Sequence, residues 1–342
     1  MFLTIVIPVY NAQKYIDECL RSCLSQDIDK NDYQIICIDD GSTDNSLNIL
    51  NEYKKNNSNI IVVSQKNSGV SVARNKGIGL AQGDYIWFVD SDDFIRHNCL
   101  SELKEIAQEK YDIISFGGYE FNLKLNNEEK VLLSNNKLKP NITYWGYSIF
   151  KIYKKSIIKD NKIFFHNEIR YGEDEVFNND VFEYSDTSYT LEYTNYLYRK
   201  NPTSVMNTLS IPENQIKQIE SIIISMVVLK QGIENRKYTK EISRRFLTKR
   251  SKAIQNCLKK INIKLACKYF RLMKKQGLFS FESEEIKKLG LPNEFRIKTT
   301  YLKQHFKIWS KSFYKKTRKK IKNMLPKPIV RIIKIIFKMP ED

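Results

Sequence analysis

Gly83-Asp84-Tyr85-Ile86-Trp87-Phe88-Val89-Asp90-Ser91-Asp92-Asp93 is the stretch that decides how the chain folds. Tyr85–Val89 is an unbroken apolar run of strand length, and it ends in three carboxylates within four residues. Similar short runs recur on the amino-terminal side at Phe2–Val9, Tyr33–Ile38 and Ile60–Ser64, and on the other side at Asp112–Phe116. Between them the spacing turns helical. Tyr15, Ile16, Cys19, Leu20, Cys23 and Leu24 fall on one helix face, and Leu47, Ile49, Leu50 and Tyr53 mark a second helix with Ser42 and Thr43 as candidate caps. A third helix is expected over Val70–Ala81. Strands alternating with amphipathic helices predict an α/β fold built on a mainly parallel sheet covered by helices. Such sheets bind ligands at the carboxyl ends of their strands, which is where Asp90, Asp92 and Asp93 stand.

The remainder of the chain sets the limits of that domain. Residues 120–140 are polar and rich in Asn and Lys, which predicts a surface excursion, and aromatic-rich segments over 141–208 are expected to complete the same domain. Helical spacing then runs from Pro212 to about Leu289. The expected organisation is a domain over 1–208, a helical region over 209–299 and a tail over 300–342. At 342 residues with 42% hydrophobic content, 12 Gly and 8 Pro, the chain can fill a large core, which excludes collagenous, disordered and disulfide-stapled classes. The six cysteines lie in apolar stretches without paired CxxC spacing or nearby histidines, so they read as buried free thiols of a reducing compartment rather than metal ligands. The start lacks the pattern of a cleaved leader, and no apolar run approaches the ~18 residues that cross a bilayer.

Three acidic groups fall where strands are expected to end. In Ile38-Asp39-Asp40-Gly41-Ser42-Thr43-Asp44, Asp40 can accept hydrogen bonds from a base or ribose, although Asp-Gly-Ser-Thr also serves as plain strand-to-helix turn chemistry. Asp90, Asp92 and Asp93 repel one another unless a cation intervenes, and their hard oxygens suit Mg²⁺ or Mn²⁺ shared with a diphosphate. A solvated acidic turn reads the same way. Tyr171-Gly172-Glu173-Asp174-Glu175-Val176-Phe177 offers a general base, or an ordinary acidic helix start.

Taken together, six segments resemble glycosyltransferase family 2, inverting enzymes of the GT-A (nucleotide-diphospho-sugar transferase) fold, of bacterial cell-surface polysaccharide type. They are Ile5-Val6-Ile7-Pro8-Val9-Tyr10-Asn11, Asp39-Asp40-Gly41-Ser42-Thr43-Asp44, Asn67-Ser68-Gly69 with Ala73-Arg74-Asn75, Gly83-Asp84-Tyr85-Ile86, Asp90-Ser91-Asp92-Asp93 and Gly172-Glu173-Asp174. Their order and spacing agree over roughly residues 1–205. The resemblance implies a Rossmann-like sheet with helices on both faces, followed by a helical C-terminal region. It also implies roles. Pro8 and Tyr10 line the nucleobase, Tyr10 by stacking, and Asp40 hydrogen-bonds it. Gly69, near Arg74 and Asn75, lets the backbone approach the nucleotide. Asp90 faces ribose or sugar, Asp92 holds Mn²⁺ or Mg²⁺, and Asp174 is the catalytic base. Trp145, Tyr198 and Arg199 lie in looser matches near the acceptor cleft, without an assigned role.

The expected reaction moves a sugar from a nucleotide-diphospho-sugar, a UDP-sugar by preference, to a hydroxyl of a saccharide or lipid-linked glycan acceptor. One base and one cation suffice for a single inverting displacement, whereas a retaining route needs a carboxylate nucleophile that nothing here identifies. A nucleotidyltransferase would want a basic glycine-rich loop after the first strand, which Tyr10-Asn11-Ala12-Gln13-Lys14 is not. A membrane adaptor with a vestigial site is the non-enzymatic alternative.

Charge is distributed unevenly along the chain. Residues 1–120 hold 11 Lys/Arg against 18 Asp/Glu, a net of −7, while 300–342 hold 13 against 2, a net of +11. In the tail, Leu302, Phe306, Trp309 and Phe313 form one helical stripe, and Lys303, Lys307, Lys311, Lys315 and Lys319 form another. A second basic amphipathic segment follows Pro328. Such helices lie on anionic membranes, so the expected location is cytoplasmic, at the inner face of the cell membrane. The alternative is that these stripes pack on the protein. No nucleic-acid recognition module is present, and no residue pattern speaks to oligomeric state.

Overall fold

A computed structural model describes residues 1–121, 136–138, 147–199 and 212–234, with seven positions between 250 and 272. The chain divides into two units, Met1–Cys257 and Leu258–Asp342. In the second only Lys268, Tyr269 and Leu272 are described, and the expected tail over 300–342 lies outside the described residues.

Unit 1 is built on one sheet. Strands β1 (Leu3–Val9), β2 (Tyr33–Asp39), β3 (Ile60–Ser64) and β4 (Tyr85–Phe88) alternate with helices α1 (Ile16–Leu24), α2 (Ser46–Asn56) and α3 (Val70–Leu80). Next come β5 (Phe94–Ile95), α4 (Leu100–Ala107), β6 (Ile113–Phe121), β7 (Asn136–Leu138), a single 3₁₀ turn at Ser148–Phe150, and β8 (Lys151–Lys154). Then follow α5 (Lys155–Asp160), α6 (Glu173–Glu183), β9 (Ser188–Arg199) and α7 (Pro212–Glu234). The strand order is β3-β2-β1-β4-β8-β6-β9-β5, with β7 on β6.

The strands β3, β2, β1 and β4 are mutually parallel, as expected, so their carboxyl ends share one edge. β8 enters antiparallel between β4 and β6. Side chains on β1 alternate between two cores. Leu3, Ile5, Ile7 and Val9 pack with Ile16, Cys19, Leu20 and Cys23 of α1, Leu50 of α2 and Leu100 and Leu103 of α4. Val6 faces the other side with Ile78 of α3, Ile158 of α5 and Phe177 and Val181 of α6. Helices therefore cover both faces. Each fully buried side chain of this size contributes about 1.5–3 kcal/mol, and the cluster of Phe88, Phe165 and Phe177 adds edge-to-face contacts directly beneath α6.

Two local differences have physical causes. The second helix begins at Ser46 rather than at Ser42 or Thr43, because those two residues are engaged by Asn11 and the Ser46 N–H is accepted instead by Asp44 at 2.9 Å. β6 continues beyond Phe116 to Phe121 because β9 runs beside it in parallel, with register shifts around Gly117 that no local apolar pattern announces. Of the six cysteines, Cys19, Cys23, Cys37, Cys99 and Cys257 are buried free thiols, and Cys267 lies outside the described residues. Among the described residues no helix is long and apolar enough to cross a membrane.

Candidate active site

The site starts with a proline. In β1 the even-numbered residues turn their backbone groups towards β4, as the Val89 N–H donating to the Val6 carbonyl shows. Pro8 is the next residue on that side, and it has no N–H to give. The β1–β4 ladder therefore stops at the Val6–Phe88 pair, and the chain after Val89 leaves the sheet carrying Asp90 and Asp92. Pro8 itself is buried within β1 opposite Ile38, whereas Tyr10, just past the strand, is 51% exposed at the shared edge.

The loops that follow β1 and β2 are sewn together. Asn11 N–H donates to Ser42 Oγ at 3.0 Å, Thr43 N–H to Asn11 Oδ1 at 2.8 Å, and Asn45 N–H to Gln13 Oε1 at 2.9 Å. Beside them, buried Asp40 accepts three bonds. Gln65 Nε2 and Ser68 N–H reach Oδ1, and Gly69 N–H reaches Oδ2, each at 2.8 Å. A carboxylate has about four acceptor positions, so Oδ2 retains room for one more donor. Gly69 has φ +96°, a left-handed value that favours glycine, and a Cβ there would meet only open space. Conformation, not crowding, requires the glycine, and the backbone beside it is open to an approaching group.

Gly69 caps α3, and α3 delivers Arg74 to the centre of the site. The Arg74 side chain is 4% exposed and gathers three carboxylates. Nη2 donates to Asp90 Oδ1 at 2.8 Å, and Nη1 to Asp174 Oδ1 at 2.9 Å and to Glu173 Oε1 at 3.1 Å. Its guanidinium carbon lies 5.2 Å from the centre of the Phe165 ring. Burial works against the Arg74 charge, but Asp174, Asp90 and Glu173 together outweigh it and its pKa is raised. Burial, then neighbouring Asp174, pushes Glu173 up to about 7. Burial also raises Asp90 against the pull of Arg74.

Glu173 and Asp174 sit in the first turn of α6, where the helix dipole favours acids. Gly172 precedes them at φ +77°, and the Arg250 guanidinium occupies the space a Cβ there would need. Arg250 donates to the Gly172 carbonyl at 3.0 Å and pairs with Glu175 at 2.9 Å, so the helix start is held from both sides. Asp174 is bound asymmetrically. Ser148 Oγ donates to the same Oδ1 that Arg74 holds, at 2.8 Å, and Oδ2 accepts no hydrogen bond among the described residues.

Asp93 serves the architecture instead. It is buried, accepts from Tyr196 Oη at 2.7 Å and from the Arg199 N–H at 2.7 Å, and burial pushes its pKa well up. Arg199 Nε donates to the Asp92 carbonyl at 2.7 Å, and Nη2 to Glu18 at 2.6 Å, which fixes the acidic turn from below. Among the described residues no three His, Cys, Asp or Glu side chains gather as a metal cage. A Mg²⁺ or Mn²⁺ site of the kind completed by substrate phosphates needs only one or two carboxylates from the protein. Asp92, in the turn that Arg199 holds, is a hard oxygen donor that could serve such a site.

Of the expected site residues, Arg74, Asp90 and Asp174 meet directly, and Asp40 joins them through Gly69 and α3. Pro8, Tyr10 and Asp92 lie at the same strand edge. Asn75 does something else: its amide exchanges two 2.8 Å hydrogen bonds with the Phe165 backbone, anchoring the segment before α6. Tyr198 stacks on exposed Tyr147 at 6.3 Å, and Trp145 lies outside the described residues. Sequence reasoning does not single out Ser148, Lys151 or Arg250, because each is one polar residue in an unremarkable context.

Residues 4–180 match the sequence model of the family described as Glycosyl transferase family 2. A poly(ribitol-phosphate) beta-glucosyltransferase of Bacillus spizizenii is 37% identical over 234 residues, 65% of this chain and 36% of that protein. The Staphylococcus aureus poly(ribitol-phosphate) beta-N-acetylglucosaminyltransferase TarS is 30% identical over 186 residues, 52% of this chain and 32% of that one. The chain thus spans about a third of the length of these two relatives. A crystal structure of S. aureus TarS 1–349 in complex with UDP superposes with a TM-score of 0.55 at 25% identity, covering 72% of this chain and 71% of that one.

Proposed function

The chain belongs to glycosyltransferase family 2, with the GT-A fold, and from that premise we propose that it transfers a sugar from a UDP-sugar to a hydroxyl of a saccharide or lipid-linked glycan acceptor, with inversion, in cell-surface polysaccharide synthesis. The observation that carries this reading is the one-sided hold on Asp174, with Oδ1 pinned by Arg74 and Ser148 and Oδ2 left open to a proton. Relatives named for sugar transfer to poly(ribitol-phosphate) support a polyol or glycan acceptor of the cell surface.

In the proposed reaction Asp174 Oδ2 takes the proton of the acceptor hydroxyl. The oxygen attacks the anomeric carbon, and the bond to the diphosphate breaks on the opposite face with its electron pair leaving on the nucleotide. A positioned base of this kind contributes ~10²–10⁴-fold in rate. Tyr10 stacks on the base, and the remaining acceptor position on Asp40 Oδ2 takes the uracil imide N–H. Open backbone at Gly69 admits the nucleotide, and Asp90, held by Arg74, faces the ribose or sugar. Asp92 would hold Mn²⁺ or Mg²⁺, which when bound neutralises charge developing on the diphosphate.

A basic tail over 300–342 that binds the anionic inner face of the membrane would confine enzyme and acceptor to one layer. Replacing Asp174→Asn keeps an oxygen for Arg74 and Ser148 but removes the proton acceptor. UDP affinity by calorimetry is expected to change less than ~3-fold while turnover falls at least ~10²-fold, and turnover within ~10-fold of wild type would remove Asp174 as the base.

A further inference from the structure

Lys151 begins β8 in the sequence Ile149-Phe150-Lys151-Ile152-Tyr153 and is fully buried, among the largest side chains with no solvent access. Lysine is almost never found so deep unless something is gained by it. Among the described residues its Nζ makes one hydrogen bond, to the Tyr147 carbonyl at 3.1 Å, out of the three an ammonium can give. Tyr147 immediately precedes Ser148, whose hydroxyl holds Asp174 Oδ1. Burial lowers the Lys151 pKa to about 7, and Asp174 is the charged group that opposes this.

We propose that Lys151 is a positioning residue for the reaction, a buried amine that fixes the Tyr147–Ser148 backbone so that the Ser148 hydroxyl holds Asp174 Oδ1. The inference rests on the reading of Asp174 as the base. Five titratable groups surround that carboxylate: Arg74 from α3, Asp90 after β4, Glu173 beside it on α6, and Lys151 and Tyr153 from β8. Glu173 and Asp90 oppose its negative charge, and Arg74 and Lys151 support it. Arg74 is shared among three carboxylates, whereas Lys151 gives its hydrogen bond to the Tyr147 carbonyl and pairs with no carboxylate among the described residues. Removing it takes a basic group from the surroundings of the Asp174 carboxylate and frees the turn whose Ser148 hydroxyl holds Oδ1.

The test is the pH profile of kcat/KM for full-length Lys151→Met, which keeps the length and apolar stem of the side chain. The acidic limb is expected to move upward by about one pH unit, with kcat at neutral pH down about 10-fold and UDP affinity within about 3-fold of wild type. Ser148→Ala removes only the hydroxyl from the same turn and is expected to move the limb in the same direction by about half a unit. It carries the test where Lys151→Met gives no cooperative unfolding transition. An acidic limb that stays in place in the folded variants, with any loss confined to Tm, overturns the proposal. Asp174→Asn separates the two levels. Turnover retained in Asp174→Asn sinks the base assignment and Lys151 with it, whereas an inactive Asp174→Asn beside an unshifted Lys151→Met sinks the Lys151 role alone.

Discussion

Arg74→Met tests the centre of the site without measuring catalysis. The substitution keeps an unbranched stem against Phe165 but removes the cation that Asp90, Glu173 and Asp174 share. Removing one partner of a buried ionic group costs about 3–5 kcal/mol, because the remaining charges stay desolvated. The side chains of Glu173 and Asp174 are 13% and 15% exposed, which places them in that range, while Asp90 at 31% recovers part of its hydration. The expected loss at pH 8 is therefore about 3–4 kcal/mol, a large fraction of the 5–15 kcal/mol that typically holds a domain together.

Its pH dependence has a definite sign. Glu173 already has a folded pKa of about 7, above its ordinary value of 4.5, so the folded state binds the extra proton and this carboxyl weakens folding as pH rises through 7. Without Arg74 the carboxylates bind protons more tightly still, so acid relieves the variant more than the wild type. Between pH 8 and pH 5 the difference between the two proteins should shrink by at least ~1 kcal/mol. Urea unfolding followed by circular dichroism at both pH values, with equal m-values, reads this directly. A deficit below ~1 kcal/mol at pH 8, or one identical at the two pH values, would refute the account of Arg74 as the shared counter-charge.

Other parts of the site give separate outcomes. Asp92→Ala should weaken Mn²⁺-dependent UDP binding at least ~10-fold while leaving metal-free binding unchanged; calorimetry that finds the same affinity with and without metal in the wild type counts against Asp92 as the ligand. Gly69→Ala forces a side chain into φ +96° and should lower stability by about 1–2 kcal/mol and weaken UDP binding, so a variant with unchanged Tm and affinity would remove the conformational argument. Truncation after residue 299 should move the protein from anionic vesicles to the supernatant in sedimentation, with no effect on neutral vesicles, and persistent sedimentation would place the membrane contact elsewhere.

How far the sequence speaks for the fold depends on the range of the interaction. The strands β1 and β2 are legible because a parallel strand covered on both faces is mostly apolar, as Leu3–Val9 and Tyr33–Asp39, buried at every position, are apart from Thr4, Gln34 and Asp39. The same pattern says nothing about neighbours. Ile152 and Tyr153 are apolar wherever β8 is placed, and only the assembled sheet sets them antiparallel between β4 and β6. Likewise the Pro8 signal reads locally as a turn near a strand end. Its consequence, the parting of β4 from β1 that frees Asp90 and Asp92, requires knowing which strand lies on the side where the N–H is missing.

The site divides along the same line. Acids are conspicuous in sequence because several stand together after strands, and repulsion among them demands an explanation wherever they occur. The cations that answer them are not conspicuous. Arg74 is one of 57 Lys and Arg residues, and Lys151 sits inside an apolar strand. A buried carboxylate cluster must be balanced by buried positive charge, by hydrogen bonds or by uptake of protons, as Arg74, the donors around Asp40 and the raised pKa of Glu173 each show. Acids at strand ends therefore leave the cation unnamed; the family resemblance points to Arg74, and three-dimensional placement adds Lys151. That asymmetry makes Arg74 and Lys151 the informative positions to change. An acidic residue replaced at the site removes a charge to which the proposed reaction gives a role, whereas a cation replaced beside the acids changes their electrostatic surroundings and is expected to register as a shifted pH profile.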